Sequence, residues 1–244
     1  MGKPKPKRRV ADELTSAIEL KIIGGKHRGR KLTYEPFRRG EDPVTRPMKH
    51  RVRESIFNLV GTEIQGTHAL DLFAGTGALG LEALSRGAAH VTFIERHVPT
   101  ARVIEENIKA LGVENECTLL VTSAFLWGKR DLPNADCGLR IAESKTGNLV
   151  EQSAIRNPQS AIPWLVFCSP PYAFFVEREA EMLELIGGVV QHSPPESIVV
   201  VEADERFDFS LLPSGGREEP GREWDVRTYA PAVVGVWRKR AAKI

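Results

Sequence analysis

The stretch ALDLFAGTGALGLEALSRG, residues 69–87, decides the fold. An apolar strand over 69–73 runs into a glycine turn, and the turn opens an amphipathic helix over 77–87 that Gly87 closes. Gly75, Gly77 and Gly80 fit the spacing G-x-G-x-x-G, which lets a backbone approach a ligand closely at a helix N-terminus. Outward from it the chain keeps alternating. VTFIE (91–95) reads as a second strand and residues 98–111 as a helix stopped by Gly112. CTLLVTS (117–123) is a third strand, and WLVFCS (164–169) a fourth that ends at Pro170 and Pro171. A helix over 177–191, a strand SIVVVEA (197–203) and a final pair, WDVRTYA and VVGVWRK, complete the pattern. Strands separated by helices predict an α/β fold with a mostly parallel sheet, helices on both faces, and a ligand at the carboxyl ends of the strands. Residues 128–162 are polar and rich in Asn, Ser, Gly and Pro, and are expected to form a long insertion rather than a domain.

The chain has 244 residues, 41% hydrophobic and 27% charged, so a fibrous or wholly disordered protein is excluded. No apolar run approaches the roughly 18 residues a membrane span needs, and no apolar segment follows the basic start MGKPKPKRRV. Three cysteines without a CxxC pair, and six histidines without metal-ligand spacing, argue against a disulfide scaffold or a zinc site. A soluble, cytoplasmic protein without a metal is expected. Charge is distributed unevenly. Residues 1–53 hold 16 Lys and Arg against 6 Asp and Glu; the rest holds 18 against 26. A basic N-terminal quarter on an acidic body suits contact with a polyanion. Residues 1–19 are expected to be a disordered basic tail, residues 20–62 a hairpin and helix, and residues 63–244 the main domain. Lys26, Arg28 and Arg30 lie in the expected hairpin; Arg46, Arg51 and Arg53 lie in TRPMKHRVRESIF, where Pro47 can open a helix. The expectation is that these six cations meet phosphates.

Two sites carry the chemistry. Asp71 lies four residues before Gly75, at the mouth of the cleft, where a carboxylate repels a pyrophosphate and favours a cationic ligand. Glu95, 20 residues after Gly75, ends the second strand and can bind ribose hydroxyls. S-adenosylmethionine, with an ammonium, a sulfonium and a ribose diol but no phosphate, matches that pair. The other role open to Asp71 is a cap on the loop or helix. At the fourth strand, Ser169-Pro170-Pro171-Tyr172 offers carbonyl and hydroxyl acceptors and an aromatic ring that can stack on a base. Acceptors that grip an exocyclic amine hold its lone pair toward a methyl donor. Cys168 is expected to point away from Ser169 by strand alternation and to be a bystander.

The segments LKIIGGKHRGRKL, TRPMKHRVRESIFNLVG, ALDLFAGTGALGLEALSRGAAHVTFIE and VFCSPPY, in this order, resemble the RsmD-type 16S rRNA (guanine-N2)-methyltransferases over residues 20–127 and 164–240. The resemblance implies a class I S-adenosylmethionine-dependent methyltransferase, with a Rossmann-like seven-stranded sheet and a small basic N-terminal extension. It implies methylation of a guanine N2 amine in 16S rRNA of the small ribosomal subunit; a monomer is expected. It places the donor on Asp71, Phe73, Ala74, Gly75, Thr76, Gly77, Glu95 and Arg96, with Ser123 and Ala124 near the adenine. It places Ser169, Pro170, Pro171 and Tyr172 at the target base. The family usually has Asp where Ser169 stands, and an uncharged acceptor predicts slower chemistry, since charge-assisted bonds are roughly twice as strong as neutral ones. A catalytically impaired RNA-binding homologue and an amino-methyltransferase of DNA adenine or cytosine remain open alternatives; a nucleotide-dependent oxidoreductase fits less well.

Overall fold

The computed structural model describes residues 20–34, 50–134, 162–213 and 224–240. Among these residues seven strands form one sheet: β1 (His68–Asp71), β2 (His90–Ile94), β3 (Cys117–Leu120), β4 (Trp164–Cys168), β5 (Ile198–Asp204), β6 (Asp225–Tyr229) and β7 (Ala232–Arg238). Their order is β3-β2-β1-β4-β5-β7-β6. The first five run parallel; β7 is antiparallel to β5 and β6 to β7. The chain lays β2 and β3 on one side of β1 and then returns to lay β4 on the other. That reversal leaves a crevice beyond the carboxyl ends of β1 and β4.

Among the described residues six α-helices flank the sheet: α1 (His50–Val60), α2 (Ala78–Ser85), α3 (Val98–Leu111), α4 (Ala124–Arg130), α5 (Phe174–Glu177) and α6 (Glu179–His192). Strand alternation divides the core in two. Ala69, Phe93, Leu165, Phe167 and Val200 pack with α1, α2, α3 and the N-terminal hairpin. Leu70, Ile94, Val166, Cys168 and Val201 pack with α4, α5 and α6. Local signals explain the element ends. Pro99 lies in the first turn of α3, where its missing N–H costs nothing, and Gly112 caps α3 at φ 71°. Gly80 lets α2 lie close on β2: a Cβ there would meet Val91 Cγ1 at 2.7 Å and Phe93 Cζ at 2.9 Å.

Residues 20–34 fold as a short hairpin-like turn, bridged at Lys21 and Lys31. It is bolted to α2. Buried Glu82 accepts from Ile23 N (2.7 Å), Gly24 N (2.8 Å) and Arg86 Nε (2.7 Å), and Ser85 Oγ accepts from His27 N (2.9 Å). The third strand, expected over 117–123, ends at Leu120, and residues 128–134, expected as the start of the insertion, instead belong to the end of α4 and a 3-10 turn over Leu132–Asn134. The remainder of the expected insertion, and the expected tail over 1–19, lie outside the described residues. Among the described residues, no helix is long and apolar enough to cross a membrane.

Candidate active site

Side-chain parity brings three acids to one face of the sheet. Asp71, Glu95 and Glu202 follow Ala69, Phe93 and Val200, all of which point to the α2–α3 face. Asp71 is 1% exposed and Glu202 4% exposed; Glu95 is buried as well. Asp71 Oδ2 accepts from Gly80 N at 3.1 Å, which fixes the first turn of α2. Its other oxygen, Oδ1, is buried without a hydrogen-bond partner. Burial pushes the Asp71 carboxyl up to about 7; the Gly80 N–H opposes this and the neighbouring Glu95 charge adds to it. Glu95 Oε2 accepts from Gly75 N (3.0 Å) and Oε1 from His97 N (2.8 Å), so the end of β2 holds the glycine turn in place. Gly75 and Gly77 have φ 53° and 76°, a region costly for any residue with a Cβ. A Cβ on Gly77 would also come within 3.3 Å of Ile104. Ala74 N bonds Ile94 O at 3.1 Å and Thr76 O accepts from Asn107 Nδ2 at 3.1 Å.

The other expected donor-site residues gather at the same sheet edge. Phe73 meets Phe125 and Phe174 edge-on, at centroid distances of 5.9 and 6.2 Å. Exposed Arg96 lies over Phe174 at 5.8 Å, and Arg178 over Phe125 at 3.9 Å. Ser123 precedes α4 and Ala124 is buried in its first turn.

The expected target site adjoins them, because β1 pairs directly with β4 and Asp71 lies opposite Phe167. Pro170 is buried and Pro171 exposed. The carbonyls of Pro171 and Tyr172 accept from Phe174 N and Phe175 N and so start α5. Ser169 Oγ donates to Glu202 Oε2 in a short hydrogen bond, and Tyr172 Oη donates to Glu202 Oε1 at 2.7 Å. Burial pushes Glu202 up, while the two donors pull it back. Burial, then the Glu202 charge, pushes the Tyr172 phenol up, so the phenol stays a proton donor. Glu202 is absent from the sequence-based set. Its signal was a carboxylate inside the apolar strand VVVEA, legible only once the β4–β5 register is known.

The expected polyanion-binding residues divide. Lys26, Arg28 and Arg51 are exposed. Arg30 is exposed too, with Nη2 donating to Ala110 O. Arg46 lies outside the described residues. Arg53 requires a correction: it is 1% exposed, and its Nη2 donates to Lys21 O at 2.6 Å. With Ile56, Phe57 and Val60 it forms the inward stripe of α1, so it holds the hairpin instead of facing a polyanion. Cys168 is buried on the opposite face, and burial pushes its thiol up, followed by the Asp71 charge.

Parts of the chain are similar to known proteins. The family model described as Conserved hypothetical protein 95 matches residues 20–137. Ribosomal RNA small subunit methyltransferase D of Escherichia coli (strain K12) is 43% identical over 97 residues, which are 40% of this chain and 46% of that protein. Over this stretch the chain is similar to the RsmD-type proteins. The chain spans about half the length of the curated relatives it matches first. It shares its fold with solved structures described as methyltransferases. The solved structure of yhhF from Escherichia coli superposes with a TM-score of 0.58 at 24% identity, over 92% of this chain and 99% of that one. An O-methyltransferase family protein from Burkholderia thailandensis gives a TM-score of 0.50 at 14% identity, over 79% and 57%.

Proposed function

We propose that the protein is an S-adenosylmethionine-dependent methyltransferase that acts in the cytoplasm on the exocyclic N2 amine of a guanine in 16S rRNA. The observation that carries the reading is the juxtaposition at the carboxyl ends of β1 and β4. A glycine turn beside an unpartnered, buried carboxylate oxygen meets Ser-Pro-Pro-Tyr on the adjoining strand. The residues fit the donor. Asp71 Oδ1 is a buried acceptor in want of a cation, which the donor's ammonium supplies. Asp71 and Glu95 repel one another, a cost that a cationic ligand relieves and a pyrophosphate would aggravate. Glu95 has lone pairs left for ribose hydroxyls, Phe73 and Phe125 offer an apolar wall, and Gly75 and Gly77 leave room for the ligand.

When bound, the donor supplies an electrophilic methyl group on a sulfonium. The chain's part is positional. Ser169 and the Pro170–Pro171 turn hold the amine by its N–H bonds, so that its lone pair faces the donor pocket. Tyr172, pinned through its hydroxyl to Glu202, presents its ring at a fixed angle to a base lifted from its stack. Lys26, Arg28 and Arg51 supply exposed charge for the rRNA backbone on a hairpin and helix that are packed into the body.

Incubation with undermethylated small-subunit particles and labelled donor, followed by nucleoside mass spectrometry, should yield N2-methylguanosine. Label on N6-methyladenine or N4-methylcytosine of DNA instead would assign a different substrate. Tight NADH binding with no transfer of label would end the methyltransferase reading.

A further inference from the structure

Position 169 carries a hydroxyl where methylation of an amine gains from a charge. The missing charge lies one strand away. The β4–β5 ladder runs Leu165 opposite Ile198 through Cys168 opposite Val201, so the next rung sets Ser169 beside Glu202. Both side chains project to the same face of the sheet, toward the Asp71 cleft. Glu202 receives two hydroxyl protons at once, from Ser169 and from Tyr172. A carboxyl group accepting on both oxygens has no proton of its own to give, so the pattern is that of a carboxylate.

Resting on the methyltransferase reading above, we propose that Glu202 is a positioning residue for the target amine: through Ser169 it supplies, from β5, the negative charge and the proton sink that an acid at 169 would supply from β4. With its hydrogen committed to Glu202, the Ser169 hydroxyl turns its lone pairs outward as a polarised acceptor for an amine N–H. During transfer the amine nitrogen bonds the methyl carbon as the carbon–sulfur bond of the sulfonium breaks, and that bonding pair stays on sulfur. The nitrogen, now positive, sheds one proton to Ser169 Oγ while the Ser169 proton moves to Glu202. The sulfonium and carboxylate charges both vanish, and Glu202 later returns its proton to water. Tyr172 does not compete for that proton, since its phenol is held in the donor form. Burial favours the step, because Glu202 binds a proton more readily than an exposed glutamate.

The test compares wild type with Glu202→Gln, Ser169→Ala and the double variant Ser169→Asp/Glu202→Gln, using small-subunit particles and labelled donor. Single-turnover transfer by E202Q should fall about 100-fold, a usual scale for a lost acid–base contribution. Its KM for particles and its calorimetric affinity for S-adenosylhomocysteine should stay within about threefold of wild type. S169A should fall by a similar factor. Moving the acid to its neighbour in the double variant should recover at least about tenfold over E202Q, which a merely structural loss at β5 would not allow. Wild-type rates in E202Q, or a double variant no better than E202Q, overturns the proposal. Failure of the methyltransferase reading itself shows separately, as absence of transfer by wild type.

Discussion

Asp71→Asn separates the stability of the fold from its use. The folded carboxyl titrates near 7 against an ordinary value of 3.8. Between those values the folded chain keeps a proton that the unfolded chain releases, so stability falls as pH rises from about 4 to about 7. Above that window the buried charge is present in full. At 1.36 kcal/mol per unit, the difference of about three units is a penalty of about 4 kcal/mol. Asparagine removes the charge and keeps an oxygen for Gly80 N–H, although a neutral acceptor is weaker by about 1 kcal/mol. The ligand-free variant should therefore gain about 2–3 kcal/mol near pH 8. For a chain of this size that is roughly 4–12 °C in melting temperature. Near pH 5 the folded side chain is still mostly neutral while the unfolded one is ionised, so only about 1.6 kcal/mol of that penalty has built up and the gain should fall below about 1 kcal/mol. The donor should lose at least about tenfold in affinity for the same variant, because its ammonium no longer meets a charge. Differential scanning calorimetry at the two pH values, with and without S-adenosylhomocysteine, measures every part of this. An asparagine variant that melts below wild type near pH 8 without ligand would refute the reasoning.

Glu82→Ala strips the acceptor from two hairpin N–H groups and from Arg86, and leaves buried Arg53 without its compensating charge. It should cost about 3–5 kcal/mol, with selective trypsin cleavage near Lys26–Arg30; unchanged protease resistance would show that the hairpin is held otherwise. Cys168→Ala should keep methyl transfer, and the native thiol should resist alkylation until the chain unfolds, because it is buried and its thiolate disfavoured. Loss of transfer with an intact fold would make the cysteine a nucleophile. Replacing Lys26, Arg28 and Arg51 together by Ala should weaken RNA binding and lower the slope of log K against log salt by up to about 2–3. A slope equal to wild type removes this face from the interface.

The order of strands and helices was legible because elements carry their own punctuation: Pro99 and Gly112 bracket α3, and the left-handed Gly77 opens α2. The residues proposed to hold the donor follow from that pattern, since a loop leaving a parallel strand has to open at the carboxyl edge. What stayed hidden depends on pairing between distant segments. The partnership of Ser169 with Glu202 spans 33 residues and exists only through the β4–β5 register. Arg53 reads as a surface cation if Arg46 and Lys49 set the helix face, but Ile56 and Phe57, three and four residues on, mark its side as inward. The anchoring of the hairpin by Glu82 gives no local signal, because a glutamate in a short helix reads as solvated until its neighbours are known.

Asn107 belongs to neither half of the molecule. Its amide oxygen accepts from Thr33 N at 2.6 Å, and its amide nitrogen donates to Thr33 O and to Thr76 O, each at 3.1 Å. One side chain thus staples the hairpin to the turn that bears Thr76. Such a staple makes the two ends answerable to each other: a ligand that steadies the turn must steady the basic arm, and an RNA gripped by the arm must in return tighten the hold on that ligand by an equal factor. The order in which they arrive can then differ from molecule to molecule without altering the finished complex.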